Sequence, residues 1–183
     1  ADVSPAILPA ANVTGVLPAG VTGGAGLDPR GVAVVDYWWV STTASNTGFN
    51  VVTANWERVD TNSGGSFVIG SGITESSGIF SFPETGIYLI MANSYVYGTN
   101  ANNYVGLEIG VTIDNSNWDQ GSVTYDGTPS GSSHHASLFV RHIFNCESIS
   151  THKFRIRINS PAQTGYFGSA THNCFGLSVI KLN

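Results

Sequence analysis

Short runs of β-branched and aromatic residues dominate the sequence from Val32 onward. Each run is bounded by Gly, Asn, Ser or Thr, and none has sustained helical periodicity with caps. Residues 153–158 alternate strictly between polar and apolar side chains, as expected for a strand with one buried and one exposed face. The pattern predicts strands at Val32–Ser41, Phe49–Val59, Phe67–Ile69, Gly78–Phe82, Gly86–Tyr97, Tyr104–Ile113, Ser122–Tyr125, His134–Asn145, Lys153–Asn159 and Cys174–Leu182.

The spacing of these runs indicates an antiparallel sandwich of the jelly-roll type, an all-β fold. Turn-forming residues separate the runs, for example at 63–65, 115–117 and 126–127. The chain has 183 residues, close to the size of one ordinary domain. We therefore assign residues 31–183 to one jelly-roll head and residues 1–30 to an extended arm that precedes it.

Residues 1–30 have the composition of an extended arm. It contains prolines at positions 5, 9, 18 and 29 and glycines at 15, 20, 23, 24 and 26, and both Leu-Pro-Ala and Val-Thr-Gly occur twice. Proline fixes φ and removes a backbone donor, which favours extended, polyproline-like backbone. Aliphatic side chains cost about 25 cal/mol per Å² when left in water. We therefore predict that the arm anchors the protein to another surface through Ile7, Leu8, Val13, Val16, Leu17 and Val21.

Charged residues are scarce and set limits on the partners. Lys, Arg, Asp and Glu make up 10% of the chain, against about 25% in an average soluble domain. The net charge of −5 argues against nucleic acid as a partner, because phosphate backbones are bound by a concentrated basic surface. No window approaches the roughly 18 apolar residues of a membrane span, and no secretory signal is evident, so we expect no membrane partner.

Catalytic and metal-binding patterns are missing from the sequence. Its five histidines accompany no nucleophile elbow, zinc-binding helix or phosphate-binding loop, so we expect no enzyme activity, cofactor or metal. The acidic loop Asp114–Asp119 contains oxygen ligands of the kind that bind calcium, but self-bonded Asx turns explain it better. Cys146 and Cys174 are interpreted as small apolar strand residues, although their spacing leaves a disulfide open.

Two sets of aromatic residues are candidate binding positions. Trp38 and Trp39 are adjacent in the first predicted strand, so their side chains point to opposite faces. One of them needs a cover outside its own core, either a second subunit or a loop. Trp118 lies in the loop after the sixth predicted strand and Tyr125 ends the seventh. Flat rings are suited to stacking on a sugar, and we take these two as candidate glycan contacts.

The segment around Phe80, Gly86 and Tyr88 resembles the complement-C1q and tumour-necrosis-factor-like superfamily, in which Phe precedes a Gly-x-Tyr turn and strand. The C-terminal run that begins at Cys174 with Phe-Gly-Leu is similar to the last strand of that family. The resemblance covers about residues 31–183 and implies a homotrimer with its last strand near the trimer centre. We predict that the trimer interface includes Trp38, Trp39, Tyr88, Phe175 and Leu177.

A Pro-rich arm ahead of such a head, with a Ser/Thr/Asn/Gly-rich surface, resembles virion appendage proteins of tailed bacteriophages. The resemblance implies a trimeric capsid decoration or head-fibre protein, assembled in the host cytoplasm and located on the virion. Its partners are then its own copies and the major capsid protein or another virion protein. Two alternatives stay open: a receptor- or carbohydrate-binding head of a tail fibre that contacts a host surface glycan, and a secreted C1q-like recognition domain.

Overall fold

The computed structural model describes residues 32–59, 68–98, 102–128, 134–169 and 171–182, and all regular structure in these ranges is β-strand. No helix in them is long and apolar enough to cross a membrane. The predicted anchoring residues of the arm, between Ile7 and Val21, lie outside the described residues. The strands are β1 Val35–Val40, β2 Ala44–Val51, β3 Trp56–Arg58, β4 Thr74–Ser76, β5 Ile79–Ser81, β6 Gly86–Gly98, β7 Asn102–Thr112, β8 Asp119–Thr128, β9 His134–Cys146, β10 Lys153–Tyr166 and β11 Phe175–Leu182.

The strands form two packed antiparallel layers. The first layer has the order β3-β1-β11-β6-β9, and β6 pairs with β9 along its whole length. In the second layer β10 is central, with β7 and then β8 on one side and with β2 and the short β5-β4 pair on the other. Residues 164–166 of β10 also pair with residues 96–98 of β6, which joins the layers at one corner. The arrangement is a jelly-roll sandwich, as the sequence predicts.

Aromatic rings fill the space between the layers. Phe80 stacks on Phe154 with ring centroids 4.9 Å apart, and Phe82 packs against Tyr88 and Phe144 at 4.5 and 5.6 Å. Phe80, Tyr88 and Phe154 have no solvent exposure. Such pairs add about 0.5–1.5 kcal/mol each beyond the area they bury. The Phe80 and Tyr88 positions that carry the family resemblance are therefore core positions.

Most predicted strands are present, with differences at proline and at left-handed backbone. The predicted strand Phe49–Val59 is divided into β2 and β3, because Asn55 has a φ of 65° that a strand cannot accommodate. Strand β10 passes the predicted end at Asn159 and continues to Tyr166. Its register shifts between Ser160 and Thr164, around Pro161, so the proline sits in a bulge rather than in a regular ladder.

Candidate functional site

The outward side of the first layer, called the first-sheet face below, is apolar at its centre. Strand pairing places Leu89 of β6 between Ile180 of β11 and Ile143 of β9. The neighbouring residues in each strand point into the core, because side chains alternate along a strand. The face is formed by Ile87, Leu89, Met91, Phe139, Arg141, Ile143, Ile180 and Leu182.

Exposure on this face is unusually high for large apolar residues. Ile143 is 63% exposed, Phe139 56%, Ile87 47% and Leu182 38%. A depression of about 530 Å³ lies beside them and is lined mainly by residues of β6 and β9, with Ser122 at its edge. Contiguous apolar surface that is edged by polar groups is typical of an interaction site. The first-sheet face is therefore the first candidate site.

The predicted trimer-interface residues lie elsewhere. Trp38, Tyr88, Phe175 and Leu177 all belong to the hydrophobic core of their own chain, and the most exposed of them, Trp38, is 9% exposed. Trp39 is also buried, at 6% exposure, although it is on the outward side. Because their surface is already covered within one chain, these five residues offer little surface to a second subunit. The available surface lies on the outward side of the same strands.

An aromatic cluster occupies the end of the first-sheet face nearest the layer junction. The ring of Tyr95 stacks on His135 at 5.1 Å and on Phe167 at 5.0 Å, and Tyr97 contacts Phe167 at 4.6 Å. Tyr97 lies directly over Gly165, where a Cβ atom would clash with its ring. This cluster extends the apolar part of the face along β6 and β9.

The outward side of the second layer, called the second-sheet face below, carries rings and guanidinium groups in contact. The Cζ atom of Arg155 lies 4.1 Å from the ring centroid of Trp118, and that of Arg157 lies 3.3 Å from the ring centroid of Phe49. Both are cation–π distances. The second-sheet face is formed by Phe49, Tyr104, Glu108, Trp118, Gln120, Tyr125, Lys153, Arg155, Arg157 and Asn159.

A buried carboxylate organises the centre of this face. Glu108 has no solvent exposure, and its Oε1 accepts a hydrogen bond from Nη1 of Arg157 at 3.1 Å while its Oε2 accepts one from Nε2 of Gln120 at 2.7 Å. Arg155, by contrast, forms no ion pair with any described residue, and its Nε is buried without an acceptor. Burial lowers the pKa of Arg155, as does the charge of Arg157 to a smaller extent, while Glu108 opposes the shift.

The two candidate glycan residues, Trp118 and Tyr125, lie on this one face. Tyr125 is 50% exposed and lies over Gly106, where an added Cβ would be 2.6 Å from the ring. Its hydroxyl is 3.5 Å from Nδ2 of Asn159, and its ring meets Tyr104 edge-on at 5.3 Å. The missing side chain at Gly106 lets the ring lie against the sheet with its other side towards solvent.

Two serine hydroxyls lie close to histidine rings in the described residues. Oγ of Ser169 is 3.5 Å from Nδ1 of the exposed His172, and the shorter contact joins Oγ of Ser122 to Nδ1 of His142 at 3.0 Å. Burial lowers the pKa of His142. Within the same ranges no carboxylate bonds the other ring nitrogen, so the pair lacks the group that orients the base in a catalytic triad. The contact gives a half-buried polar strand residue a hydrogen-bond partner.

In the acidic loop, the carboxylate of Asp114 accepts hydrogen bonds from other residues of the same loop. Oδ1 of Asp114 accepts bonds from the backbone N–H groups of Ser116 and Asn117 at 2.9 and 2.7 Å, and Oδ2 accepts one from the Asn117 side chain at 2.7 Å. These bonds lower the pKa of Asp114. No group of three or more His, Cys, Asp or Glu side chains is placed to hold a metal ion in the part of the chain that is described. Both cysteines are free thiols.

Sequence reasoning identified Trp118 and Tyr125, and the alternation of residues 153–158 predicted that Lys153, Arg155 and Arg157 share one side of a strand. It did not predict that the two sets lie together. The proximity of the basic residues to Trp118 depends on the pairing of β10 with β7, which brings Arg155 opposite Gly110 and Asn159 opposite Gly106. The pairing register of β10 with β7 could not be predicted from the sequence.

No family model matches the sequence. No curated protein matches it either.

Solved structures match the fold. The crystal structure of murine APRIL at pH 5.0 superimposes with a TM-score of 0.61 and 17% identity, over 81% of this chain and 98% of that chain. Eiger TNF from S. frugiperda superimposes with a TM-score of 0.63 and 11% identity, over 83% of this chain and 94% of that chain. At these identities the likeness concerns the fold alone. The chain thus has an all-β, antiparallel jelly-roll fold similar to that of tumour-necrosis-factor proteins.

Proposed function

We propose that the protein is a non-enzymatic, homotrimeric structural protein of a tailed-phage particle, a capsid decoration or head-fibre protein. In this proposal residues 1–30 attach it to the major capsid protein or to another virion protein. Assembly takes place in the host cytoplasm and the finished protein is located on the virion. Its mechanism is passive, because burial of apolar surface supplies the binding free energy and no bond is made or broken.

The exposed apolar first-sheet face is the observation that supports the proposed self-association. Complete burial of an aliphatic or aromatic side chain contributes about 1.5–3 kcal/mol. From the exposed fractions of Ile87, Phe139, Ile143 and Leu182, covering what remains exposed contributes about 3–6 kcal/mol per subunit. The jelly-roll fold and the sequence resemblance favour threefold symmetry over other closed assemblies.

The attachment to a phage particle is supported by composition. The arm combines proline and glycine with aliphatic residues that need a covering surface, and the head carries few charges. Three arms on one trimer raise the overall avidity above the affinity of a single arm. A weak contact per arm is therefore sufficient for stable attachment.

Deletion of residues 1–28 tests the proposal. The truncated protein is expected to remain a folded trimer, with a mass three times that of one truncated chain, and to lose co-sedimentation with particles that lack the native protein. Full-length protein added to the same particles is the control. Truncated protein that still attaches would contradict the anchoring role of the arm, and a mass of one chain for the full-length protein would contradict the trimer.

A second candidate function is a carbohydrate-binding head that recognises a host surface glycan. The observation that favours it is the position of Trp118 and Tyr125 on one face, with Tyr125 lying flat and half exposed. Sugar-binding sites commonly combine planar rings with a few polar groups. Binding of the isolated trimer to a glycan array, reduced in a Tyr125→Leu variant, is the expected result. An array without any bound glycan would contradict this candidate and leave the structural role untouched.

A further inference from the structure

The second-sheet face concentrates positive charge in a protein that is otherwise acidic. The chain has a net charge of −5 and only seven Lys and Arg residues, yet β10 presents Lys153, Arg155 and Arg157 on this side. Two of the remaining cations, Arg58 and Lys181, are paired with carboxylates elsewhere. The local sign of this surface is therefore opposite to that of the whole molecule.

Two of the three cations on this face form no ion pair with any described residue. Glu108 is the buried acid at its centre, and both of its oxygens are used by Arg157 and Gln120. Arg155 forms no ion pair within the described ranges, and neither does Lys153. Arg155 is held in place by the ring of Trp118 instead, at 4.1 Å. A cation that is fixed in position and lacks a partner favours an anionic ligand.

The exposed aromatic rings on this face favour a ligand that also has flat apolar surfaces. Tyr125 lies over Gly106 and exposes one side, with Asn159 at its hydroxyl end. Gly106, under Tyr125, pairs with Asn159 of β10, whereas Gly110 pairs with Arg155. Tyr125 and Arg155 are therefore separated by the length of four residues along β10. At about 3.3 Å per residue this separation is about 13 Å. Such a distance suits a short oligosaccharide better than a single sugar.

We infer that the second-sheet face binds a carboxylate-bearing glycan, a chain of uronic or similar acidic sugars. One sugar ring stacks on Tyr125, another stacks on the exposed part of Trp118, and a carboxylate of the chain pairs with Arg155. The inference rests on the second candidate function and names its ligand class. The face lies on the side of the sandwich opposite the first-sheet face, so trimer formation through that face leaves the glycan surface open.

An acidic protein surface is the competing ligand, and the shape of the site argues against it. A protein carboxylate satisfies Arg155 but has no need of a flat exposed tyrosine 13 Å away, the distance of about four strand residues. The observed pairing of rings and charge is matched by a ligand in which planar hydrophobic faces and carboxylates repeat together.

The test uses the full-length trimer and three soluble probes, with affinities measured by calorimetry. A galacturonic acid hexamer carries rings and carboxylates, its carboxyl-reduced form carries rings alone, and a glutamate hexapeptide carries carboxylates alone. The uronate hexamer is expected to bind at least about tenfold more tightly than either comparison, a factor that corresponds to about 1.4 kcal/mol. Equal binding of the glutamate peptide would overturn the inference in favour of an acidic protein partner.

Variants separate the two parts of the site. Arg155→Gln is expected to weaken uronate binding about tenfold and to leave the carboxyl-reduced probe within about twofold. Tyr125→Leu is expected to weaken both sugar probes about fivefold. Lys181→Gln removes one positive charge away from this face. This control variant should bind like the unchanged protein.

The failures are distinguishable. Binding of the carboxyl-reduced probe as tightly as the uronate overturns the acidic-glycan inference and leaves the carbohydrate-binding candidate standing. A chondroitin sulfate hexamer that binds more tightly than the uronate of the same length shows preference for sulfate and also overturns it. If a trimer of correct mass binds no glycan, both the acidic-glycan inference and the carbohydrate-binding candidate are wrong. The proposed structural role is not affected by that result.

Discussion

Replacing Ile143 by lysine should separate the subunits without unfolding them. Ile143 is 63% exposed in one chain and lies at the centre of the first-sheet face beside Leu89. If its exposed part is buried in the trimer, its loss removes about 1–2 kcal/mol per subunit, or about 3–6 kcal/mol for three copies. The new charge also lies near Arg141, which repels it, so these values are a lower limit.

The effect is measurable as a rise in the protein concentration at which half of the trimer is dissociated. Dissociation of one trimer gives three chains, so a change of about 3–6 kcal/mol raises the concentration at half-dissociation about ten- to hundredfold. Sedimentation velocity over a dilution series measures this midpoint. The urea midpoint of the separated chains should change little, because substitutions at exposed positions usually alter stability by less than about 0.5 kcal/mol.

Ile113 provides a matched control. Ile113 is 62% exposed, almost the same fraction as the 63% of Ile143. It follows β7, however, and lies outside the first-sheet face. Ile113→Lys should leave the trimer midpoint unchanged. Equal dissociation of both variants, or an Ile143→Lys protein that remains trimeric at the same dilution as the unchanged chain, would show that the first-sheet face is not the contact surface.

Three further predictions concern stability. Glu108→Gln leaves Arg157 without its counterion and should lower the free energy of unfolding by about 2–3 kcal/mol in urea titrations, whereas an unchanged midpoint would contradict a structural role for the pair. Because burial lowers the pKa of His142 below 6.5, the unfolded chain binds its proton more readily, so stability should fall as pH drops below about 6.5. His142→Gln should remove that part of the urea-midpoint change between pH 7.5 and 5.5, and an identical change in both proteins would refute it. Gly78 has a φ of 80° and faces the Val52 carbonyl, so Gly78→Ala should cost about 2 kcal/mol or more in thermal unfolding, and an unaltered melting temperature would argue against this backbone geometry.

The alternation of residues 153–158 shows how far local sequence reaches. Phe154, Ile156 and Ile158 have no solvent exposure, while Arg155 and Arg157 lie on the outward side. A strand period of two residues is a local property, so the pattern predicts both the strand and its inward side. The turn before β6 is equally local, because proline and glycine lie between Phe82 and the start of that strand.

The sequence could not determine which side of an apolar strand faces the core. In β6 both Tyr88 and Leu89 are apolar, and in β11 so are Leu177 and Ile180. The pattern gives no preference between the two sides when both are apolar, and the prediction made from the sequence placed Tyr88 and Leu177 at the interface. Packing of the second layer decides the matter, because only one side of each strand can meet Phe82 and its neighbours.

The sequence by itself determined the class of fold, the inward side of amphipathic strands such as β10, and the scarcity of charge. These follow from side-chain period, turn chemistry and composition, which are local or additive properties. The tertiary structure decided that Ile87, Phe139 and Ile143 are left uncovered together and that Arg155 meets the ring of Trp118. Those contacts join residues far apart in the chain, and they depend on strand register, which long loops and packing of the whole sandwich set jointly.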